Sequence, residues 1–359
     1  MGLVRRVSPS EFLKTEWREL TRINPSARPW QMPLVAALVT GLPLLAGAAL
    51  GDMAHGVAAM LGTLIFLYVP DAALGRRIAV LCGCAVAMSA CYAMGLVAGH
   101  LGLWGAPFLG LVAMALTMAA RYARLNPPAG LFFIMAAAIG AYAGVPLAAI
   151  PLRVGLLALG TILALVAGVI YGLLVPESEA ARVAPPPPPL TREVLLVDPA
   201  IIGLAVALSL LIAELLGVER PYWAPVSCLA VIQGASLRAI WTRQTQRVFG
   251  TAIGLAITAA IFTLPIGPWS VALAITGLTF VVEAAVVRHY GFAAMFFTPM
   301  SILVAEAPRL GALAPASVMQ ARLFDTIIGS AVGAAFGLFI HHTRLKRPVR
   351  KALGLNHEV

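Results

Sequence analysis

The sequence has little charge of either sign and very little lysine. Only 11% of its 359 residues are charged, against about a quarter in a soluble globular domain, while 60% are hydrophobic and the mean hydropathy is +0.92. This composition excludes a soluble globular protein. The 25 basic residues include only three lysines, and the arginines lie between apolar runs, a pattern typical of membrane-orientation signals and not of a phosphate-binding face. Nucleic acid is therefore not an expected partner.

Signatures of metal, cofactor and catalytic sites are also missing from the sequence. The four cysteines all fall inside apolar stretches, which predicts small hydrophobic side chains rather than a disulfide framework or a metal site. The chain carries no P-loop, no nucleophile elbow and no dinucleotide-binding fingerprint. We therefore expect a protein that is not an enzyme and that has no catalytic residue, no cofactor and no metal.

Twelve apolar segments make up most of the chain and predict an all-α integral membrane protein with about 12 transmembrane helices. A helix that spans a hydrocarbon core of ~30 Å needs ~20 apolar residues. Six segments lie within residues 31–175 and six within 198–342, with a proline-rich cytoplasmic linker at 176–197 between them. Residues 1–30 predict a cytoplasmic segment with a helix at the membrane interface, and 343–359 predict a basic cytoplasmic tail.

The distribution of basic residues predicts the orientation of these helices. With the N-terminus inside, 21 of the 25 lysines and arginines lie on the cytoplasmic side. The four on the outer side are Arg153, Arg220, Arg309 and Arg322. Because positively charged loops stay in the cytoplasm, both termini are expected there.

The two six-segment halves resemble each other in sequence. Arg77 recurs as Arg247 at an offset of 170 residues, and Arg153 recurs as Arg322 at an offset of 169. Because six is an even number, the halves have the same orientation, and we expect two parallel repeats related by an axis along the membrane normal. The second and eighth segments are short, and short segments in corresponding positions indicate a transporter's binding site.

The stretch from Arg220 to Gly254 is the first candidate for such a site. Tyr222 and Trp223 form an aromatic pair that suits either the outer membrane interface or stacking against an aromatic substrate. Gln233 is a lone polar residue in a short apolar segment. A loop is expected after it, and its arginines suit either orientation or the attraction of anions to a cytoplasmic entrance. They are Arg238, Arg243 and Arg247.

Two acidic residues fall well inside predicted membrane helices. Asp325 follows Arg322 by three positions, so the two can pair, either as a structural lock or as a proton-binding carboxylate whose arginine is contested by an anionic substrate. Glu283 is either a second proton-coupling group or a charge at the inner end of its helix, near Arg288. Asp71 is a candidate for the cytoplasmic entrance or for a helix cap. Solvated positions at the outer mouth are expected for Glu214 and Glu306.

Three motifs in the second half resemble one known family. They are PYWAP at 221–225, RVFGTAIG at 247–254 and RLFDTIIG at 322–329. Their "YW", "RxxGTxxG" and "RxxDTxxG" patterns are similar to those of the fusaric acid resistance-like family of aromatic acid exporters. The resemblance covers most of 198–342 but extends to 32–174 only in outline, where Leu156 replaces the acid that Asp325 supplies. It implies a multi-pass exporter of organic, often aromatic, carboxylic acids in the bacterial inner membrane, often working with a periplasmic adaptor protein.

The residues and the resemblance together predict a proton-coupled exporter of organic anions. The substrate would enter from the arginine-rich cytoplasmic face and bind between the repeats, and Asp325 or Glu283 would take a proton from outside. Two alternatives stay open, namely an organic-anion channel and a membrane scaffold without transport activity. The expected partners are a small organic anion, the lipid bilayer and a periplasmic adaptor protein, and a homo-oligomer is left open.

Overall fold

The computed structural model describes residues 21–26, 28–183, 190–234, 236–309 and 315–342, and within these ranges the chain is all-helical without a strand. The predicted interfacial helix before residue 21, the proline run at 185–189 and the basic tail lie outside them. Besides short helical turns, the first half contains α1 (Gln31–Leu50), α2 (Met53–Thr63), α3 (Leu74–Ala98), α4 (Gly105–Tyr122), α5 (Leu131–Ala141) and α6 (Ile150–Leu174). The second half contains α7 (Asp198–Leu215), α8 (Trp223–Ile232), α9 (Leu237–Ile261), α10 (Pro268–Ala285), α11 (Tyr290–Glu306) and α12 (Pro315–His341).

Helix length divides the described part of the chain into long and short membrane elements. Seven stretches are long and apolar enough to span a membrane: Gln31–Leu50, Leu74–Ala98, Gly102–Tyr122, Leu147–Leu174, Glu193–Leu215, Pro268–Ala285 and Ala316–His341. Four apolar helices are shorter: Met53–Tyr68, Leu131–Ala141, Trp223–Ile232 and Tyr290–Glu306. The short ones are the second and fifth helix of each half. The protein is therefore a multi-pass membrane protein.

α9 begins at Leu237, well before the predicted apolar start at 248. Ser236 caps it, because its hydroxyl accepts a hydrogen bond of 3.1 Å from the backbone N–H of Ala239. The expectation of an arginine-bearing loop was therefore wrong, and all three arginines of that stretch lie on the helix. Low hydropathy hid the first turns of α9, although arginine is a good helix former.

α5 ends at Ala141, earlier than the apolar run to 148 predicted. The chain then turns through Gly144, whose φ of 62° lies in the left-handed region that favours glycine. Pro146 follows and cannot donate a backbone hydrogen bond to continue a helix. This break shortens the fifth helix to 11 residues.

The helix contacts of one half are matched by those of the other. α2 packs on α6 as α8 packs on α12, and α3 packs on α5 as α9 packs on α11. The most extensive contacts between the halves are those of α1 on α10 and of its counterpart α7 on α4. The first helix of each half thus packs on the fourth helix of the other half, so neither half packs as an independent unit.

Small residues bring the matched helix pairs into backbone contact. A Cβ atom placed on Gly160 in α6 would overlap the carbonyl oxygen of Ala59 in α2. In the second half, a Cβ atom on Gly329 in α12 would overlap the carbonyl oxygen of Ala224 in α8. Close approach of this kind is how membrane helices gain packing energy, since lipid gives little hydrophobic drive between them.

Candidate functional site

A cavity of about 850 Å³ is lined by residues of both halves, and we refer to it as the central cavity. Its volume lies within the range of small-molecule sites, ~300–1,000 Å³. Each of the four short helical stretches contributes an aromatic ring to its wall: Tyr68, Phe132, Trp223 and Phe297. Such a wall can hold a small molecule with a flat apolar part, because aromatic rings attract one another in stacked or edge-on arrangements.

Arginines follow the wall of the central cavity from its mouth to its interior. Arg22 and Arg238 are exposed, Arg28 and Arg243 are half-buried, and Arg247 is buried. A single acid, Glu283, stands among the described lining residues. We call the exposed end of this set the arginine-rich mouth. Its positive potential favours the entry of anions.

Arg247 is held in place by side chains on two neighbouring helices. It donates hydrogen bonds of 3.1 Å to the Tyr290 hydroxyl through Nη1 and to the Ser227 hydroxyl through Nη2. Its guanidinium lies 5.5 Å from the ring centre of Phe297, and its Nε has no hydrogen-bond partner. The ring contact and the position in the cavity wall both fit the role in anion binding that was predicted for Arg247. This role stays a prediction.

Arg322 lies behind the wall of the central cavity and is only 1% exposed. Its guanidinium is stacked on Trp223 at 4.1 Å from the ring centre and approaches Phe297 at 5.8 Å. None of its three nitrogens has a hydrogen-bond partner. A buried cation on an aromatic face is attracted by the ring's quadrupole, and this attraction is strongest away from water.

Asp325 is fully buried, one turn further along α12. The predicted pairing with Arg322 is not formed, because neither carboxylate oxygen has a hydrogen-bond partner. The carboxylate faces the backbone of Trp223 without reaching hydrogen-bonding geometry. The reason is the position of Arg322, whose guanidinium is turned onto the indole ring instead.

Glu283 points into the central cavity and pairs with a residue far away in sequence. Arg28 Nη1 donates to Glu283 Oε2 at 3.1 Å and to the Glu283 backbone carbonyl at 3.3 Å. Glu283 is 7% exposed, whereas Arg288 is exposed to solvent. Glu283 lies in the last turn of α10, which ends at Ala285, and its ion-pair partner is Arg28. Both alternatives for Glu283, a proton-coupling group and a charge at the inner end of the helix, stay predictions.

The other predicted binding residues divide between the cavity and its surroundings. Gln233 caps the end of α8 and lines the central cavity. Tyr222 does not line it, and its ring lies between those of Trp223 at 5.3 Å and Tyr142 at 6.0 Å. Tyr222 and Trp223 are both buried, so the structure places neither at the exposed aromatic belt that was one of their two expectations.

Asp71 lies outside the lining of the central cavity, although it was a candidate for the entrance. It accepts hydrogen bonds from the Ser178 backbone N–H at 3.0 Å and the Ser178 hydroxyl at 2.5 Å. Partial burial raises the pKa of Asp71, but these hydrogen bonds and the charge of Arg77 outweigh it and lower the pKa overall. Asp71 therefore ties the loop after α2 to the start of the linker.

The two acids expected in solvent at the outer mouth have different environments. Glu306 is 2% exposed and pairs with Arg220, so the expectation of a solvated charge was wrong for it. Glu214 is exposed, as expected, and accepts a hydrogen bond from the Tyr142 hydroxyl. A buried acid needs a partner because an unpaired charge in a low-dielectric environment is costly.

Sequence reasoning missed the contribution of the segment before α1. Three of its residues line the central cavity: Arg22, Asn24 and Arg28. The positive charge of this segment was assigned to orientation, and nothing in its local pattern indicates a partner 255 positions away. In the part of the chain that the structure describes, no group of three or more His, Cys, Asp or Glu side chains is placed to hold a metal ion.

The helices define a multi-pass membrane protein, and comparison with known proteins supports this class. Residues 206–336 match the family described as fusaric acid resistance protein-like. The resemblance predicted from the three motifs is thereby confirmed over these residues.

One curated relative is 35% identical to this chain over 117 residues. It is the uncharacterized membrane protein YvaC of Bacillus subtilis (strain 168), and the matched stretch covers 33% of this chain and 18% of that protein. The chain thus spans less than a fifth of that relative's length. No solved structure matches the chain.

Proposed function

We propose that this protein exports organic, often aromatic, carboxylic acids across the bacterial inner membrane, coupled to protons. The observation that carries the proposal is the central cavity, which combines an arginine-rich mouth with an aromatic ring from each short helix. A guanidinium binds a carboxylate through two parallel hydrogen bonds, and aromatic walls favour a flat apolar body. The substrate would contact Arg247, Gln233 and Trp223.

We also propose that the two halves are parallel repeats with both termini in the cytoplasm. The matched helix contacts support the repeat, and the strong excess of basic residues on one side supports the orientation. In this arrangement the arginine-rich mouth faces the cytoplasm, with Arg238 and Arg243 at the entrance. An anion therefore enters the central cavity from the side on which metabolic acids accumulate.

Proton coupling is assigned to two buried acids, Glu283 in the wall of the central cavity and Asp325 one turn from Arg322 on α12. A carboxylate inside a membrane protein is costly unless paired, so its protonation state responds to any change in its surroundings. Arg322 is proposed as a second binding group for the substrate carboxylate, because its three nitrogens have no hydrogen-bond partner and its guanidinium lies against Trp223 and Phe297. Tyr222 supports Trp223 from behind.

Flux measurements in proteoliposomes test the transport proposal. Purified protein should move labelled benzoate faster when a pH gradient is imposed, and Asp325→Asn should abolish the gradient-driven part. Glu219→Gln, which changes an exposed acid, is the matched control and should behave as the wild type. Benzoate flux that is independent of the gradient in every variant would favour the organic-anion channel. Flux no higher than in protein-free liposomes would favour a scaffold.

Partners beyond the substrate and the bilayer are proposals taken from the family resemblance. A periplasmic adaptor protein would have to dock on the outer face, and a homo-oligomer would bury lipid-facing helix surface. Cross-linking in intact cells, followed by identification of the products, separates these two arrangements.

A further inference from the structure

The segment that precedes α1 forms part of the wall of the central cavity. The Asn24 backbone N–H donates to the Arg288 carbonyl at 2.8 Å, which ties the segment to the chain just after α10. Arg28 then reaches Glu283 on α10 itself. These contacts place the side chain of Arg28, which is 20% exposed, between solvent at the mouth and the buried carboxylate of Glu283.

The surroundings of Glu283 leave Arg28 as its direct cationic partner. α1 packs against α10 but carries no charged residue, and α11 contributes His289 and Tyr290 at its start. Arg22 on the N-terminal segment and Arg288 after α10 lie near this end of the helix, and Arg238, Arg243 and Arg247 line the same cavity. Among these groups, Arg28 donates a hydrogen bond to the Glu283 carboxylate at 3.1 Å.

A second ion pair stands at the matching crossing of the other half. Arg121 Nη1 donates to Asp198 Oδ2 at 2.9 Å and to the Val194 carbonyl at 2.6 Å, where α4 packs on α7. Both arginines thus hold one carboxylate and one backbone carbonyl through Nη1. Arg121 and Asp198 do not line the central cavity, whereas Arg28 and Glu283 do. An anchoring role alone does not require the cavity position of the Arg28–Glu283 pair.

We propose that Arg28 is a counter-ion shared between Glu283 and the anion in the central cavity, so that anion binding moves a proton from solvent onto Glu283. The carboxylate of an entering anion competes for the guanidinium of Arg28, since arginine can bind it bidentately. Glu283 then loses its cation while it stays buried, and a buried carboxylate without a partner takes up a proton. For each anion bound, one proton passes from solvent to a Glu283 carboxylate oxygen.

This inference rests on the proposed function, because it needs an anionic ligand in the central cavity. It makes Arg28 a positioning residue for proton uptake as well as a ligand of the anion. It also gives the N-terminal segment a role in coupling that a helix lying on the membrane surface would not have.

Infrared spectroscopy of detergent-solubilised protein tests the ligand-free half of the proposal. Arg28→Ala should show the carbonyl band of a protonated carboxyl group at neutral pH, because Glu283 has lost its cation. The band is measured as the difference from the wild type, because the buried and unpaired Asp325 contributes to all of these spectra. This difference should be absent from Arg28→Lys, which keeps the positive charge, and from the double variant Arg28→Ala/Glu283→Gln. A spectrum of Arg28→Ala that matches the double variant would overturn the proposal.

Calorimetry with benzoate tests the ligand-bound half. Titrations in two buffers of different ionisation enthalpy should show uptake of about one proton per benzoate in the wild type and in the control Arg121→Ala. Glu283→Gln should bind benzoate without proton uptake, and Arg28→Ala should bind about tenfold more weakly. Benzoate binding without proton uptake in the wild type overturns this inference alone, whereas an absence of binding overturns the proposed function as well.

Discussion

Trp223 lies between a buried cation and the central cavity. One face of its indole ring carries the guanidinium of Arg322 at 4.1 Å, and the ring also borders the central cavity. Next to it, Phe297 lies 5.8 Å from Arg322 and 5.5 Å from Arg247, so rings and guanidinium groups meet side by side. These contacts replace the hydrogen bonds that the Arg322 nitrogens lack, because cation–π attraction is strong when water is excluded.

Truncation of Trp223 should therefore destabilise the protein. Trp223→Ala is expected to lower the free energy of unfolding by about 3–5 kcal/mol through the cavity it leaves, and Trp223→Phe by about 2 kcal/mol or less because a ring face remains. Thermal unfolding in detergent should rank the wild type above Trp223→Phe and Trp223→Ala lowest. The control is Trp104→Ala, since Trp104 is 74% exposed. Equal melting temperatures for Trp223→Ala and Trp104→Ala would contradict the stacking.

Some glycines bring the backbones of neighbouring helices into contact, and others do not. α6 contains both kinds of glycine: Gly160 faces the Ala59 carbonyl of α2, whereas no other atom lies within 4 Å of a Cβ placed on Gly155. The same contact recurs between α12 and α8 at Gly329. Since α2 and α8 also supply cavity residues, these crossings set the position of the cavity wall.

The two glycines of α6 should respond to alanine with opposite sign. Gly160→Ala must push α6 away from α2, at a cost of about 1–3 kcal/mol. Gly155→Ala removes only the flexibility of glycine in a helix and should stabilise by about 0.5–1 kcal/mol. Melting temperatures of the two variants in one detergent check this. The packing would be misassigned if Gly160→Ala melted at or above the temperature of Gly155→Ala.

At the scale of the whole molecule, the halves are interlocked by exchanged contacts of their first helices. α1 packs on α10 and α7 packs on α4, and an ion pair stands at each crossing. The central cavity is consequently lined by both halves. The crossing of α1 and α10 contributes directly to the cavity, because α10 carries Glu283 into its wall.

Reporter fusions test the proposed membrane orientation. A green fluorescent protein fused after residue 183 or after residue 342 should fluoresce, because both points are expected in the cytoplasm. Alkaline phosphatase fused after Leu101 or after Gly217 should be active, because both loops are expected outside. Active phosphatase at 183 would overturn the parallel arrangement of the halves, since an even number of crossings must separate that point from the N-terminus.

Much of the fold follows from the sequence, because apolar runs and breaks are local properties. Each of the twelve apolar segments contains a helix in the described chain, although seven stretches are long enough to span a membrane. The predicted helix bounds were wrong where hydropathy and the local helix signals disagree. At the start of α9, arginines lowered the hydropathy and masked a helix capped by Ser236, and after α5 the turn at Gly144 shortened an apolar run.

The candidate site was predictable as a set of residue types but not as a set of contacts. Sequence spacing places Arg322 and Asp325 on one helix face, yet Arg322 stacks on Trp223. Likewise, Glu283 lies close in sequence to Arg288, yet its ion pair is formed with Arg28. Periodicity cannot identify Trp223 as the partner of Arg322 or Arg28 as the partner of Glu283, because each partner comes from another segment of the chain.

By itself, the sequence determined that this is an all-helical membrane protein and which polar residues enter its apolar segments. Composition and periodicity decide that much, since they state what each stretch can bury. Only the tertiary structure decided which cation meets which acid and which residues line the central cavity. The physical reason is that helix crossings between distant segments choose the partners, and the lipid imposes no preference among them.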